Sequence, residues 1–255
     1  MKHSKLIIVE GPLENRRRAT AEMIVRELQK KGKKVVCVTP QFEAEREKVL
    51  EKWREFTENE DEGITYVCSH IFQQEYMCEI ADIIRSLNPM ILYLEQKGME
   101  ERQKLEVNVF EKAKLDCITL GETLTAEEYQ ALFLSVGWGA PAIEQIQIAL
   151  KNTPRSYVAK KNGQTIGMLS LLGDFGLHWF VTDVIVHPDY QGKMIGTILL
   201  CLAEEYIRTT LHDGWKADIS VFSSPAGEHF YTHLGYQACP RQYRGPGMDK
   251  EIESA

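Results

Sequence analysis

One stretch of the 255-residue chain, VIVHPDYQGKMIGTILL (Val184 to Leu200), combines residue types and spacing that meet a chemical need. A valine-rich run ends at His187-Pro188, then come Gln191, Gly192 and Gly196, and an apolar run with helical spacing follows. A strand that ends in a glycine-containing turn and feeds a helix aims several backbone N–H groups at one point, where the helix dipole favours an anion. A pyrophosphate fits such a corner, and glycines let it approach the main chain. The same pattern describes an ordinary strand–turn–helix junction, so the corner alone leaves both readings open. His187-Pro188 reads as the end of the strand, because proline lacks the ladder donor.

The elements that must position this corner follow from patterning. With 44% hydrophobic residues the chain is long enough for one large core or two modest ones. No apolar run approaches the roughly 18 residues of a membrane span, and the N-terminus turns polar too early for a signal sequence. A cytoplasmic location is the expectation. Six cysteines without a Cys-x-x-Cys pair argue against a disulfide framework or a structural zinc site, and no metal is expected. A formal charge of −7 disfavours nucleic-acid binding, which leaves a small molecule as the expected partner.

KLIIVE (5–10), a helical spacing over 16–31 and KKVVCVTP (33–40) read as a β-α-β opening with parallel strands. Residues 42–63 read as mostly helical, ending in the acidic surface loop TENEDEG, and 64–72 and 89–96 read as strands around a helix over 74–86. The pattern then changes. Thr125 three residues before Glu128 is a capping-box signature for a helix over 125–139, and a second helix covers 142–151. Asn162-Gly163 between alternating runs predicts a hairpin over 155–172, extended by a third strand over 177–188 into an antiparallel meander, with another strand at 216–222. LDCITL (115–120) either closes the first sheet or opens the second.

This order of hairpin, long strand ending in Val-x-Pro, Gln191 to Gly196, amphipathic helix, strand and GEHFYTHLGY (227–236) resembles the GNAT superfamily of acetyl-CoA-dependent N-acetyltransferases over about 118–250. The family's Gln/Arg-x-x-Gly-x-Gly/Ala loop and its Phe-Tyr-x-x-x-Gly-Phe segment are matched by Gln191, Gly196, Phe230, Tyr231, Gly235 and Tyr236. The resemblance implies acetyl-CoA as donor, held by the main chain of Gln191, Gly192, Lys193, Met194, Ile195, Gly196 and Thr197. Amides of Val184, Ile185 and Val186 would face the thioester and the pantetheine arm. Met194 replaces the first loop glycine; methionine tolerates φ > 0 poorly, but if the position is held at φ < 0 its amide still points at the ligand, and the replacement is expected to be tolerated, with weaker cofactor binding as the cost. Acetyl transfer needs a proton for the departing thiolate, for which Tyr231, with a phenol pKa near 10, is the candidate general acid. Asp183 on the same strand is the candidate to take the amine's proton through a water or to bind a cationic acceptor, or else a structural hydrogen-bonding group. His178 reads as a surface histidine, and Trp138 as either a lid over the acceptor site or a core residue.

The first 118 residues resemble P-loop kinases in IIVEGPLENRRRAT, WREF, YVCSHIFQ and LNPMILYLEQ, but only Gly11 of Gly-x-x-x-x-Gly-Lys-Ser/Thr is kept. Arg16, Arg17 and Arg18 stand at the glycine, lysine and hydroxyl positions, and Cys68 stands where an acidic residue near magnesium is expected, so phosphoryl transfer lacks its parts. The expected fold class is therefore α/β: a degenerate P-loop-like parallel layer (1–118) followed by a GNAT domain (119–255) with a mixed, mainly antiparallel sheet flanked by helices. The expected function is transfer of an acetyl group to a small-molecule amine, with no membrane or nucleic-acid partner and a homodimer implied by the resemblance. The alternative is a non-catalytic acyl-CoA or nucleotide sensor.

Overall fold

Leu6 to Glu10 are all buried, which a strand achieves only when both faces of its sheet are covered. In the computed structural model, which describes residues 6–38, 46–58, 63–72 and 74–248, these residues form β1 (Leu6–Glu10) inside a nine-stranded sheet. The other strands are β2 (Lys34–Val38), β3 (Ile64–Cys68), β4 (Met90–Leu94), β5 (Asp116–Gly121), β6 (Arg155–Lys161), β7 (Gln164–Gly173), β8 (His178–Val186) and β9 (Asp218–Val221). Their order is β2-β3-β1-β4-β5-β6-β7-β8-β9. The first five are parallel, β5 to β8 pair antiparallel, and β9 returns parallel to β8.

The open question about residues 115–120 is answered by β5, which pairs with β4 on one side and β6 on the other. The expected division at 118/119 thus falls inside a strand, and both parts of the chain share one sheet. The fold is mixed α/β, with helices on both faces. Helices α1 (Glu14–Lys30) and α7 (Ile195–Thr210) cover one face, where Ile7, Val9, Leu92, Leu169 and Val181 meet Ile24, Leu28, Ile198 and Leu199. On the other face lie α2 (Arg46–Glu58), α3 (Met77–Ile84) and α4 (Glu100–Lys112) over the parallel half. Helices α5 (Ala126–Ser135) and α6 (Ile143–Asn152) pack there on Met168 and Ile185. A last short helix, α8 (Glu228–His233), follows β9.

Strand alternation explains the split: Leu6 and Ile8 join one core, Ile7 and Val9 the other. The capping box is formed as expected, with the Glu128 N–H donating to Thr125 Oγ1 at 3.2 Å and the Thr125 N–H to Glu128 Oε2 at 3.0 Å. Helix α4 has no counterpart in the sequence reading, because its thirteen residues are polar almost all round. Fully buried Phe110 anchors it, a burial worth about 1.5–3 kcal/mol. Buried Glu106 accepts from the Tyr93 hydroxyl and Arg102 Nε, each at 2.7 Å. Most of the acidic loop, residues 59–62, and residues 39–45 of the second expected strand and helix lie outside the described residues. Among the described residues no helix is long and apolar enough to cross a membrane.

Candidate active site

The site begins with a break in the β7–β8 ladder. Met168 pairs with Ile185 and Ser170 with Thr182, so Asp183 and Val184 together oppose Leu169. This bulge puts Asp183 at φ 52, a left-handed conformation rare for a non-glycine residue, and re-aims the strand. Pairing between β8 and β9 ends at Val181–Val221, so Thr182 to Val186 have no strand beside them on that side and the sheet forks. The His187 N–H donates to Ile166 O at 2.9 Å, toward β7. By alternation the N–H groups of Val186 and Val184 face the fork, and that of Ile185 faces β7. Of the three amides expected at the thioester, Ile185's is therefore turned away.

Helix α7 starts at the mouth of the fork. The first hydrogen bond across its start runs from the Ile198 N–H to Met194 O at 2.9 Å, so the amides of Ile195, Gly196 and Thr197 have no acceptor within the helix. Gln191 Nε2 donates to Val186 O at 3.0 Å and ties the turn to the strand. Gly167 on β7 lets the helix sit close, since a Cβ there would lie 3.1 Å from Ile195 Cγ2. Met194, the N-cap, takes φ 64 and ψ 2. The φ < 0 condition is thus not met: the turn keeps the left-handed geometry that a glycine supplies freely, and methionine occupies it at a cost.

A cleft of about 710 Å³ runs from this helix start along the fork. It is lined by Asp183, Val184, Ile185, Val186, Gln191, Gly192, Met194, Ile195, Gly196, Thr197 and Tyr231. Lys193 is the one expected donor-binding residue absent from the lining; its ammonium stands 4.8 Å from the centre of the Tyr190 ring. Phe222, Ser224, Gly227 and Phe230 also line the cleft. The first two come from the segment leaving β9, whose path no local pattern announces.

Tyr231 is placed by the end of α8. Gly235 at φ 93 reverses the chain, and the Tyr236 N–H returns to Tyr231 O at 3.1 Å, closing the helix with a left-handed glycine cap. Burial pushes the Tyr231 phenol up to about 12, above the expected value near 10, so it keeps its proton across the physiological range. Asp183 accepts from the Tyr129 hydroxyl at 2.6 Å and from Thr182 Oγ1 at 3.1 Å. Tyr129 is itself raised well above the ordinary phenol range, by burial first and by the Asp183 carboxylate second. Tyr129 was not singled out in the sequence, because only the tertiary packing of α5 on β8 brings it there. Its ring stacks on Phe133 at 4.8 Å, and Phe133 meets Trp138 edge-on at 5.5 Å. Trp138, half exposed, lines the cleft. His178 is exposed near Asp174 at 3.1 Å, and it does not line the cleft.

The N-terminal corner is built differently. Only Pro12 and Leu13 separate Gly11 from α1, so residues 16–18 lie in the helix and no extended loop precedes it. Arg16 donates to Glu95 O at 3.2 Å and Gln96 Oε1 at 3.1 Å, Arg17 donates back to Gly11 O, and Arg18 pairs with Glu22 at 3.1 Å. The three arginines diverge. Cys68 is fully buried, and the nearby carboxylate of Glu10 is committed to the N–H groups of Ile71 and Phe72 and to His70 Nδ1.

The forked mixed sheet and the helix start at the mouth of the fork thus bound one cleft, toward which strand and helix-start amides point. Residues 152–238 match the family described as acetyltransferase (GNAT) domain. The match spans about a third of the chain, and relatives of this part carry the name N-acetyltransferase. The chain is 27% identical over 132 residues to an uncharacterized N-acetyltransferase, ycf52, of Pyropia yezoensis, covering 50% of this chain and 74% of that one. It is 30% identical over 136 residues to the histone acetyltransferase TAP1 of Glycine max, covering 49% of this chain and 57% of that one. An acetyltransferase of the GNAT family from Streptococcus pneumoniae superposes with a TM-score of 0.44 at 25% identity, covering 54% of this chain and 98% of that one.

Proposed function

We propose that the protein transfers an acetyl group from acetyl-CoA to the amine of a small molecule. The observation that carries this reading is the fork: the Val184 and Val186 amides face a gap that begins where β9 leaves β8 and ends at the open amides of α7. The backbone of Gly192 to Thr197 would hold the pyrophosphate, and the apolar walls from Phe222 and Phe230 suit a thin pantetheine arm. When bound, the donor supplies a thioester whose carbonyl the acceptor amine attacks. The two strand amides then stabilise negative charge on the carbonyl oxygen without reorganising.

Tyr231 faces the departing sulfur as a hydrogen-bond donor. With its pKa pushed to about 12, full transfer to a thiolate of ordinary pKa near 8.5 is uphill, so its role is chiefly hydrogen-bond donation as charge builds on sulfur. Asp183, fixed by Tyr129, presents a carboxylate to the acceptor end of the cleft, where it orients a water or a cationic amine.

The N-terminal part, proposed as a degenerate P-loop-like layer over 1–118, serves as a scaffold fused to the GNAT domain (119–255) through β5. We also retain a homodimer and a cytoplasmic location as parts of this proposal. The test is release of free coenzyme A thiol from acetyl-CoA over a panel of small amines, with Tyr231→Phe alongside. Amine-dependent release that falls in the variant while the KM for acetyl-CoA holds supports the reading. Coenzyme binding without turnover on any amine would favour a non-catalytic sensor.

A further inference from the structure

Next to the donor cleft lies a hollow of about 490 Å³, lined by Lys30, Lys31, His229, Phe230 and His233. Lys31 and Phe230 line both cavities. The hollow's walls therefore carry two ammonium groups and two imidazoles and no carboxylate. Lys30 is held by Glu27 at 2.6 Å, whereas Lys31, exposed at the C-cap of α1, has no carboxylate partner among the described residues. His229 and His233 sit one turn apart on α8 with ring centres 5.6 Å apart. His233 Nδ1 donates to His229 O at 2.7 Å, which leaves its Nε2 for another partner.

We infer that Lys31, together with His229 and His233, forms a subsite for a phosphate monoester, the 3′-phosphate at the nucleotide end of coenzyme A. The inference rests on the donor reading above. A pyrophosphate over the start of α7 lies beside Gly196, and Gly196 lies against Phe230, since a Cβ on it would sit 3.4 Å from Phe230 Cζ. With the thioester end directed toward Tyr231, the opposite end of the ligand passes the Phe230 ring and meets the basic hollow. A phosphate monoester carries close to two negative charges, and an ammonium with three donors suits it as a point charge. Lys31 belongs to α1, outside the matched GNAT segment, so the N-terminal part of the chain completes the donor site instead of only supporting it.

The test compares coenzyme A with 3′-dephospho-coenzyme A by calorimetric titration of the full chain, using wild type, Lys31→Met and the His229→Gln/His233→Gln double variant. Wild type is expected to prefer coenzyme A, and each variant to weaken coenzyme A about three- to tenfold while leaving the dephospho form unchanged. Lys31→Met keeps the aliphatic stem of an exposed residue, so an unchanged melting midpoint confirms that the fold is intact. Equal wild-type affinity for the two ligands, or equal loss of both in Lys31→Met, overturns the inference while leaving the donor reading in place. Failure of wild type to bind either ligand overturns both.

Discussion

Replacing Met194 tests the geometry of the donor corner through two variants that share one deletion. At φ 64 a residue with a Cβ is strained by about 1 kcal/mol or more relative to glycine. The methionine side chain is partly buried against the core, so deleting it costs about 1 kcal/mol, near half of a full burial. In Met194→Ala the strain remains and the packing is lost, giving a net loss of about 1 kcal/mol. In Met194→Gly relief of the strain roughly offsets the lost packing, giving a change near zero. The glycine variant is therefore expected to exceed the alanine variant by about 1 kcal/mol in urea denaturation, or about 2–4 °C in melting midpoint for a chain of this size. Because Met194 also lines the cleft, Met194→Gly is expected to bind acetyl-CoA at least as tightly as wild type. An alanine variant as stable as the glycine variant would show that residue 194 is not held in the left-handed region, and the helix-start cradle would have to be redrawn.

Tyr231→Phe is expected to lower kcat by about ten- to a hundredfold with little change in the KM for acetyl-CoA, read by thiol release. Burial holds the folded-state pKa of Tyr231 above its unfolded value near 10, so its contribution to stability is full below pH 10 and is lost as pH rises through about 12. The pH–rate profile should accordingly show no Tyr231-dependent limb between pH 7 and pH 10; a limb near pH 8.5 that vanishes in Tyr231→Phe would contradict the assignment. Tyr129→Phe removes the donor that fixes Asp183 and is expected to cost about 1.5–3 kcal/mol in chemical denaturation together with a rise in the KM for the amine. Gly167→Val should push the start of α7 off the sheet, and loss of acetyl-CoA affinity in calorimetry would show it.

The antiparallel meander and the α5 cap were legible because they are local: Asn162-Gly163 fixes a turn, and Thr125 with Glu128 fixes a helix start. The strand–turn–helix corner was legible for the same reason, being a contiguous run from Val184 to Thr197. What escaped was either non-local or conformational. Tyr129 reaches Asp183 from 54 residues away, and Lys31 reaches the cleft from α1. The conformation of Met194 escaped because the demand for φ > 0 comes from the turn and not from the residue filling it. Helix α4 escaped because Phe110, its fully buried core residue, is too little for a periodic signal. That both parts of the chain share one sheet was hidden in β5, whose six residues read equally well as the end of one sheet or the start of another.

The central claim is that the amides of α7 and the fork of β8 hold an acyl-CoA, and calorimetric titration of acetyl-CoA into the folded protein tests it most directly. The account predicts one site per chain with a dissociation constant in the micromolar range. Absence of binding by a protein that still melts cooperatively would contradict it.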